Sequence, residues 1–411
     1  MIFAQQVYQL AVFKIDRGRS KIVSTRNEVI LSVLAILLIV IDLLYTTYRI
    51  IAYPEEGIIQ SAEVPDSSSK GIQLFTLIGF LEFTFTIISS IYFLFVGLLK
   101  RHDQIKFVNK MQKIDDIMKF DFKINIDYAR YKWVSLGILI IVLLYYNVCV
   151  GGVMFFILLK DYFQKIESLM TFIVYIVQSS SSGIFTYGYV GYVILINRRV
   201  SRINKKLSDI VRFPPEVLEG RYKSKEALCT EMMQFTKIYK NFCSCVEDLN
   251  EIFGFSMVLH FAHDFTLLTT QIFAIFYIGF FDFWEPSKYK ICALIIWTLP
   301  NVLKMSFICL VCHLTRNEIE ACSLHLRHFS NEANEDELTD ITDMFSLQSI
   351  HLKTEFSANN FFSIDMSLFF TIISATTTYL VILIQFKNYE DENSSATDMF
   401  KNITNSSTLL N

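Results

Sequence analysis

The sequence predicts an all-α integral membrane protein of seven transmembrane helices, with a cytoplasmic amino terminus, an extracellular carboxy terminus and helical extensions below the membrane. Three observations carry this. Hydrophobic residues make up 53% of the 411, with 38 phenylalanines among them, more than a soluble domain of this length normally carries. Seven apolar runs, at 29–53, 71–99, 133–159, 170–196, 253–283, 291–312 and 362–386, each reach the about 20 residues that cross a hydrocarbon core of roughly 30 Å. Lys and Arg crowd into alternate loops, which places those loops on the cytoplasmic side.

Residues 1–28 form the cytoplasmic amino terminus, with Lys14, Arg17, Arg19, Lys21 and Arg26. They do not read as a cleavable signal, because the apolar run that follows is too long and lacks a small-residue cleavage site. Helices one to four occupy 29–200. Their second loop carries Lys100, Arg101, Lys106, Lys110, Lys113, Lys119, Lys123, Arg130 and Lys132, whereas the first loop is acidic, with Glu55, Glu56, Glu63 and Asp66 against Lys70. Residues 201–252 form a cytoplasmic linker and helix extension. There Leu228, Met232, Phe235, Tyr239, Phe242, Val246, Leu249 and Phe253 alternate by four and three, one apolar face of a helix that starts near Ser224 after the Pro214-Pro215 break and runs straight into the membrane. Helices five and six occupy 253–313. A cytoplasmic linker and anchor helix follow over 314–361, capped at Asp340 with Ile341, Phe345, Ile350 and Leu352 as its apolar side, before a turn at Asn359-Asn360. The seventh helix is 362–386 and the extracellular tail 387–411. All three N-x-[ST] sequons, at Asn393, Asn402 and Asn405, lie in that tail, which makes them candidate glycosylation sites and agrees with an outside carboxy terminus.

The seventh helix carries the most specific pattern. Ser367, Thr371, Ser374, Thr378, Val381 and Gln385 recur at alternating spacings of four and three, so they share one face. Hydroxyls in hydrocarbon are costly unless hydrogen-bonded or wetted, so this face meets protein or water. A hydroxyl seam that bonds a neighbouring helix within one subunit is the competing reading. The helix ends Thr378-Tyr379-Leu380-Val381-Ile382-Leu383-Ile384-Gln385-Phe386, which resembles the TYhhhhhQF signature of the insect gustatory receptors, h being an apolar residue. The resemblance covers the topology loosely and residues 351–386 closely. It implies a homotetramer, or an assembly with related subunits, in which the last helix of each copy lines a central pore. On that reading Ser374, Thr378, Val381, Gln385 and Phe386 line the pore, with Gln385 and Phe386 at the outer constriction. It further implies a tastant-gated non-selective cation channel of the plasma membrane, opened by a sugar-like or bitter small molecule. Glu390, Asp391 and Glu392, just beyond, would concentrate cations or form part of a solvated tail.

A ligand pocket in a helix bundle is mostly apolar with a few convergent polar groups. The outer halves of helices three to six offer Tyr146, Gln178, Thr270, Gln271, Trp297 and Asn301, and the resemblance implies a tastant site in this region. Ordinary bundle packing competes at every one of these positions. Pro300 lies inside helix six and frees backbone groups beside Trp297 and Asn301. His260, His263 and Asp264 share one face of helix five. A metal would need further ligands, and none is placed for it, so a buried hydrogen-bonded network is the expectation. Asp42, Glu82, Lys304 and Asp365 also need partners near or within the membrane. The eight cysteines mostly fall in spans or cytoplasmic loops and read as free thiols. Cys309-Leu310-Val311-Cys312-His313 matches a haem-attachment pattern but sits at the cytoplasmic end of an apolar helix, so no cofactor is expected. A net charge of −3 gives no reason for a nucleic-acid partner. Nucleotide-binding and hydrolase motifs are missing, so enzymatic function is unsupported. Seven spans alone also suggest a G-protein-coupled chemoreceptor, but the charge placement inverts that topology. A secondary transporter is less favoured, because no internal repeat is found.

Overall fold

The computed structural model describes residues 14–16, 21–23, scattered positions between 30 and 97, and then 99–125, 128–145, 166–211, 225–281, 287–333 and 336–408. The first two predicted spans therefore lie largely outside the described residues, although the positions described between 30 and 48 and between 84 and 99 are helical. A short antiparallel hairpin pairs β1 (Lys14–Asp16) with β2 (Lys21–Val23). Then come α1 (Arg101–Phe120), α2 (Tyr128–Leu144), α3 (Ile166–Val211), α4 (Lys225–Phe281), α5 (Ser287–Ala333) and α6 (Asp336–His351). A second hairpin, β3 (Ser357–Ala358) with β4 (Phe362–Ser363), leads into α7 (Met366–Thr408).

Among the described residues three helical segments are long and apolar enough to cross a membrane, Glu226–Phe276, Leu294–Arg327 and Met366–Phe386, and Trp133–Leu144 is a shorter apolar stretch. The protein is thus a multi-pass membrane protein by helix length and composition.

The four-three pattern at the start of α4 becomes one unbroken helix of 57 residues. Met232, Phe235, Tyr239, Phe242, Val246, Leu249 and Phe253 are all buried along it, with Leu228 half-buried at the end. At about 1.5 Å per residue such a helix far exceeds the membrane thickness, and its apolar face continues on both sides of the predicted boundary at 253. Basic residues that oriented the loops find carboxylates in this region. Lys110 Nζ lies 2.6 Å from Asp248 Oδ2, and Lys206 Nζ lies 2.6 Å from Glu231 Oε1. Arg199 grips Asp115 with Nε to Oδ1 at 2.6 Å and Nη2 to Oδ2 at 2.7 Å, a two-pronged pair whose geometry a lysine cannot reproduce. These pairs tie α1, α3 and α4 together.

Two boundaries differ from the sequence reading. Asp340 does not cap α6, which begins at Asp336. Phe345 is buried as expected, yet Ile350 is 71% exposed, because five residues place it about 140° around the helix from Phe345. At the other end of the chain α7 does not stop near 386 but continues as helix to Thr408, so residues 387–408 are helical where a solvated tail is one of the two readings.

The foot of α7 is fixed by the second hairpin. Asn359 and Asn360 take φ of 51° and 61°, the left-handed region that asparagine tolerates and bulkier residues avoid. Asn250 of α4 clamps the incoming strand, donating from Nδ2 to the Glu355 carbonyl at 2.8 Å and accepting the Ser357 N–H at Oδ1 at 2.9 Å. Gly254, one turn further along α4, lies so close that a Cβ there would stand 2.7 Å from the Asn359 backbone nitrogen. Asp365 then caps α7, its Oδ1 accepting the Leu368 N–H at 3.1 Å.

Candidate functional site

Helix α7 packs against α4 and α5 with one face only. Ile372 and Thr376 are buried, while Ser367, Thr371, Ser374, Thr378, Val381 and Gln385 are all exposed. At 3.6 residues per turn those six positions fall within an arc of about 80°, diametrically opposite Ile372 and Thr376. Within Met366–Phe386 only 11% of an apolar 18-residue stretch is buried inside the chain. A groove of about 500 Å³ runs along this exposed face, lined by Ser374, Thr377, Thr378, Val381 and Ile382. Among the described residues, Thr371, Thr377 and Thr378 bond within their own helix, donating to the carbonyls of Ser367, Ile373 and Ser374 at 2.9, 3.0 and 3.1 Å. Each donor is satisfied within α7, which leaves the oxygen free to accept from water or to meet a cation. Phe386 is 65% exposed at the end of the same segment, and the Tyr379 ring meets Phe265 of α4 edge-on, centroids 5.7 Å apart.

The candidate ligand residues separate. Tyr146 lies outside the described residues, and Gln178 sits on α3 with its side chain outside them. Gln271 is buried and accepts the Thr298 hydroxyl at 2.7 Å, tying α4 to α5. Asn301 is buried and donates to the Trp297 carbonyl at 3.1 Å, and Thr270 donates to the Leu267 carbonyl at 2.9 Å. These polar groups are thus engaged in bundle packing. The sequence reading missed Tyr145, whose hydroxyl donates to the carbonyl of Ile296. That carbonyl stands four residues before Pro300, the one inside α5, whose ring nitrogen has no hydrogen to give it. Tyr145 supplies the missing donor. Only helical phase separates it from Tyr146, and phase is not legible across a run of adjacent aromatics.

The expected buried network around His260, His263 and Asp264 forms, and its partner is Lys304. Lys304 Nζ lies 2.9 Å from Asp264 Oδ1 and 3.3 Å from Ser182 Oγ of α3. His263 Nδ1 is 3.1 Å from the same carboxylate oxygen, and His260 Nε2 is 3.2 Å from Thr186 Oγ1 and 3.4 Å from Asp264 Oδ2. Among the described residues no group of three metal-ligating side chains is assembled here or elsewhere. Cys309 and Cys312 of the haem-like pattern are buried free thiols, Cys312 Sγ lying 3.6 Å from the Tyr189 hydroxyl. The side chains of Asn393, Asn402 and Asn405 lie outside the described residues.

A long-helix membrane bundle whose last helix turns a hydroxylated face outward defines the class, and comparison with known proteins gives the family. The family model described as 7tm chemosensory receptor matches residues 10–390, and the chain belongs to that family. Its curated relatives are gustatory receptors of Drosophila melanogaster. It is 31% identical to putative gustatory receptor 2a over 194 residues, 41% of this chain and 44% of that protein. It is 32% identical to gustatory receptor 68a over 168 residues, 39% of this chain and 42% of that one. The chain thus matches less than half the length of these relatives. The fold is that of the insect olfactory receptor OR5 from Machilis hrabei, at a TM-score of 0.57 and 11% identity, covering 94% of this chain and 96% of that one. The same receptor solved in complex with eugenol aligns at a TM-score of 0.55.

Proposed function

We propose that this chain is a gustatory receptor of the plasma membrane that works as a tastant-gated, non-selective cation channel. Seven helices cross the bilayer, with the amino terminus inside. Four copies, or this chain with related subunits, bring α7 around a central axis, and a sugar-like or bitter small molecule in the outer half of the bundle opens the path between them. One observation carries the reading: the hydroxyl seam of α7 is exposed on a single chain, opposite the face that packs. The threonine donors on this side are met by carbonyls of α7 itself, so what favours water here is the acceptor capacity that the hydroxyl oxygens keep, and an assembly that closes the seam around water supplies it. There Ser374 and Thr378 replace part of an ion's hydration, while Val381, Gln385 and Phe386 narrow the outer section. Tyr146, Gln178, Thr270, Gln271, Trp297 and Asn301 mark the region of the agonist, whose binding shifts the equilibrium only through tighter binding to the open form. Asn402 and Asn405, and nearer the membrane Asn393, carry glycans on the outer side.

The test is Gln385→Ala, recorded by patch clamp. The expected result is altered cation selectivity or unitary conductance with agonist dependence kept, because Gln385 sits at the end of the seam. Unchanged permeation contradicts the assigned pore face.

A further inference from the structure

Between 253 and 281 Asp264 is the only Asp, Glu, Lys or Arg, and between 291 and 312 Lys304 is the only one. The two are each other's partner, Nζ to Oδ1 at 2.9 Å, with side chains 8% and 0% exposed. From this and its surroundings we infer that Asp264 and Lys304 are a positioning pair for gating: they lock α5 to α4 in one register, so that movement of α5 in the ligand region is delivered to α7. The inference rests on the channel reading above.

Stability alone does not account for such a pair. A buried ion pair is about as stable as a well-packed apolar replacement, since desolvation offsets most of the attraction. What it adds is a steep penalty on sliding. A shift of α5 past α4 by one turn, about 5.4 Å, would pull opposite charges apart where no bulk water screens them. The groups around the pair reinforce a single arrangement. On α3, Ser182 is within 3.3 Å of the ammonium group and Thr186 holds His260 at 3.2 Å. On α4, His263 lies 3.1 Å from the carboxylate. The pair also stands between the two parts that must communicate. One turn before Lys304 lies Pro300, inside α5, with the Ile296 carbonyl beyond it held by Tyr145. Immediately after Asp264 comes Phe265, whose ring rests edge-on against Tyr379 of α7 at 5.7 Å. The proline limb, the ion pair and the seam helix are thus joined through one turn of α4.

The full-length protein, reconstituted in planar bilayers, is read for open probability and unitary conductance without agonist and with sucrose or eugenol as probes. Asp264→Asn and Lys304→Met are each expected to change open probability by about tenfold and to leave unitary conductance as in the wild type. The double exchange Asp264→Lys with Lys304→Asp is expected to move open probability back toward the wild type. Should the single variants fail to assemble, Asp264→Glu and Lys304→Arg keep both charges, change only their reach, and are expected to shift open probability with conductance unaltered. Unaltered open probability in variants of a conducting wild type, altered conductance, or a double exchange no better than its parents overturns the inference. A wild type without unitary current steps overturns the channel reading itself.

Discussion

Gly254→Ala is expected to destabilise the protein, although in most helix interiors the same exchange is favourable by up to about 1 kcal/mol because alanine is the better helix former. The sign is reversed here by space. A Cβ at 254 would stand 2.7 Å from the Asn359 nitrogen and 3.1 Å from its Cα, both backbone atoms of a turn already held at positive φ. The turn has nowhere to retreat, because Asn250 pins the strand before it at two hydrogen bonds. Overpacking of this kind costs about 1–3 kcal/mol, and Gly254→Val adds further bulk. The internal control is Gly137→Ala on α2, where a Cβ meets nothing within 4 Å and the usual helix gain should appear. Thermal melting of the detergent-solubilised protein separates the two, with a lowered midpoint for Gly254→Ala and a raised or unchanged one for Gly137→Ala. Equal shifts in the same direction would show that the hairpin does not rest on α4 in this way.

Phe242→Ala should be among the most destabilising single exchanges in the first half of α4. The ring is fully buried in the core shared with Tyr239, Val246 and Leu249, and removing such a side chain from a packed site costs about 3–5 kcal/mol. Met233, on the same helix but 53% exposed, should tolerate alanine with little change. Fluorescence-detected size exclusion after graded heating gives the comparison, and equal sensitivity at both positions would contradict the packing of α4.

What the sequence made legible was local. The seam of α7, the buried face of α4 and the left-handed turn at Asn359 and Asn360 all follow from spacing and residue type within a few turns of helix. Partner choice was not. Asp264 and Lys304 stood out as charges inside apolar segments, but their meeting depends on how α5 returns alongside α4, which periodicity does not encode. The same limit explains the ligand candidates. Gln271 and Asn301 have the chemistry of a polar pocket, and the structure occupies them with Thr298 and the Trp297 carbonyl. Tyr145 was missed because its role exists only through the carbonyl that Pro300 leaves without a donor. At α6 the sequence pointed to a cap at Asp340, and the helix begins a turn earlier, at Asp336.

The central claim, that the hydroxylated side of α7 is wetted in the assembled protein, is tested most directly by cysteine scanning. Single cysteines are placed at Ser374, Thr378 and Val381 on the seam and at Ile372 and Thr376 on the packed side, and each is exposed to a membrane-impermeant, charged thiol reagent. The account predicts modification at the three seam positions and none at the other two, repeating with the helical period. Protection of Ser374, Thr378 and Val381, or reaction at Ile372 and Thr376 instead, would contradict it.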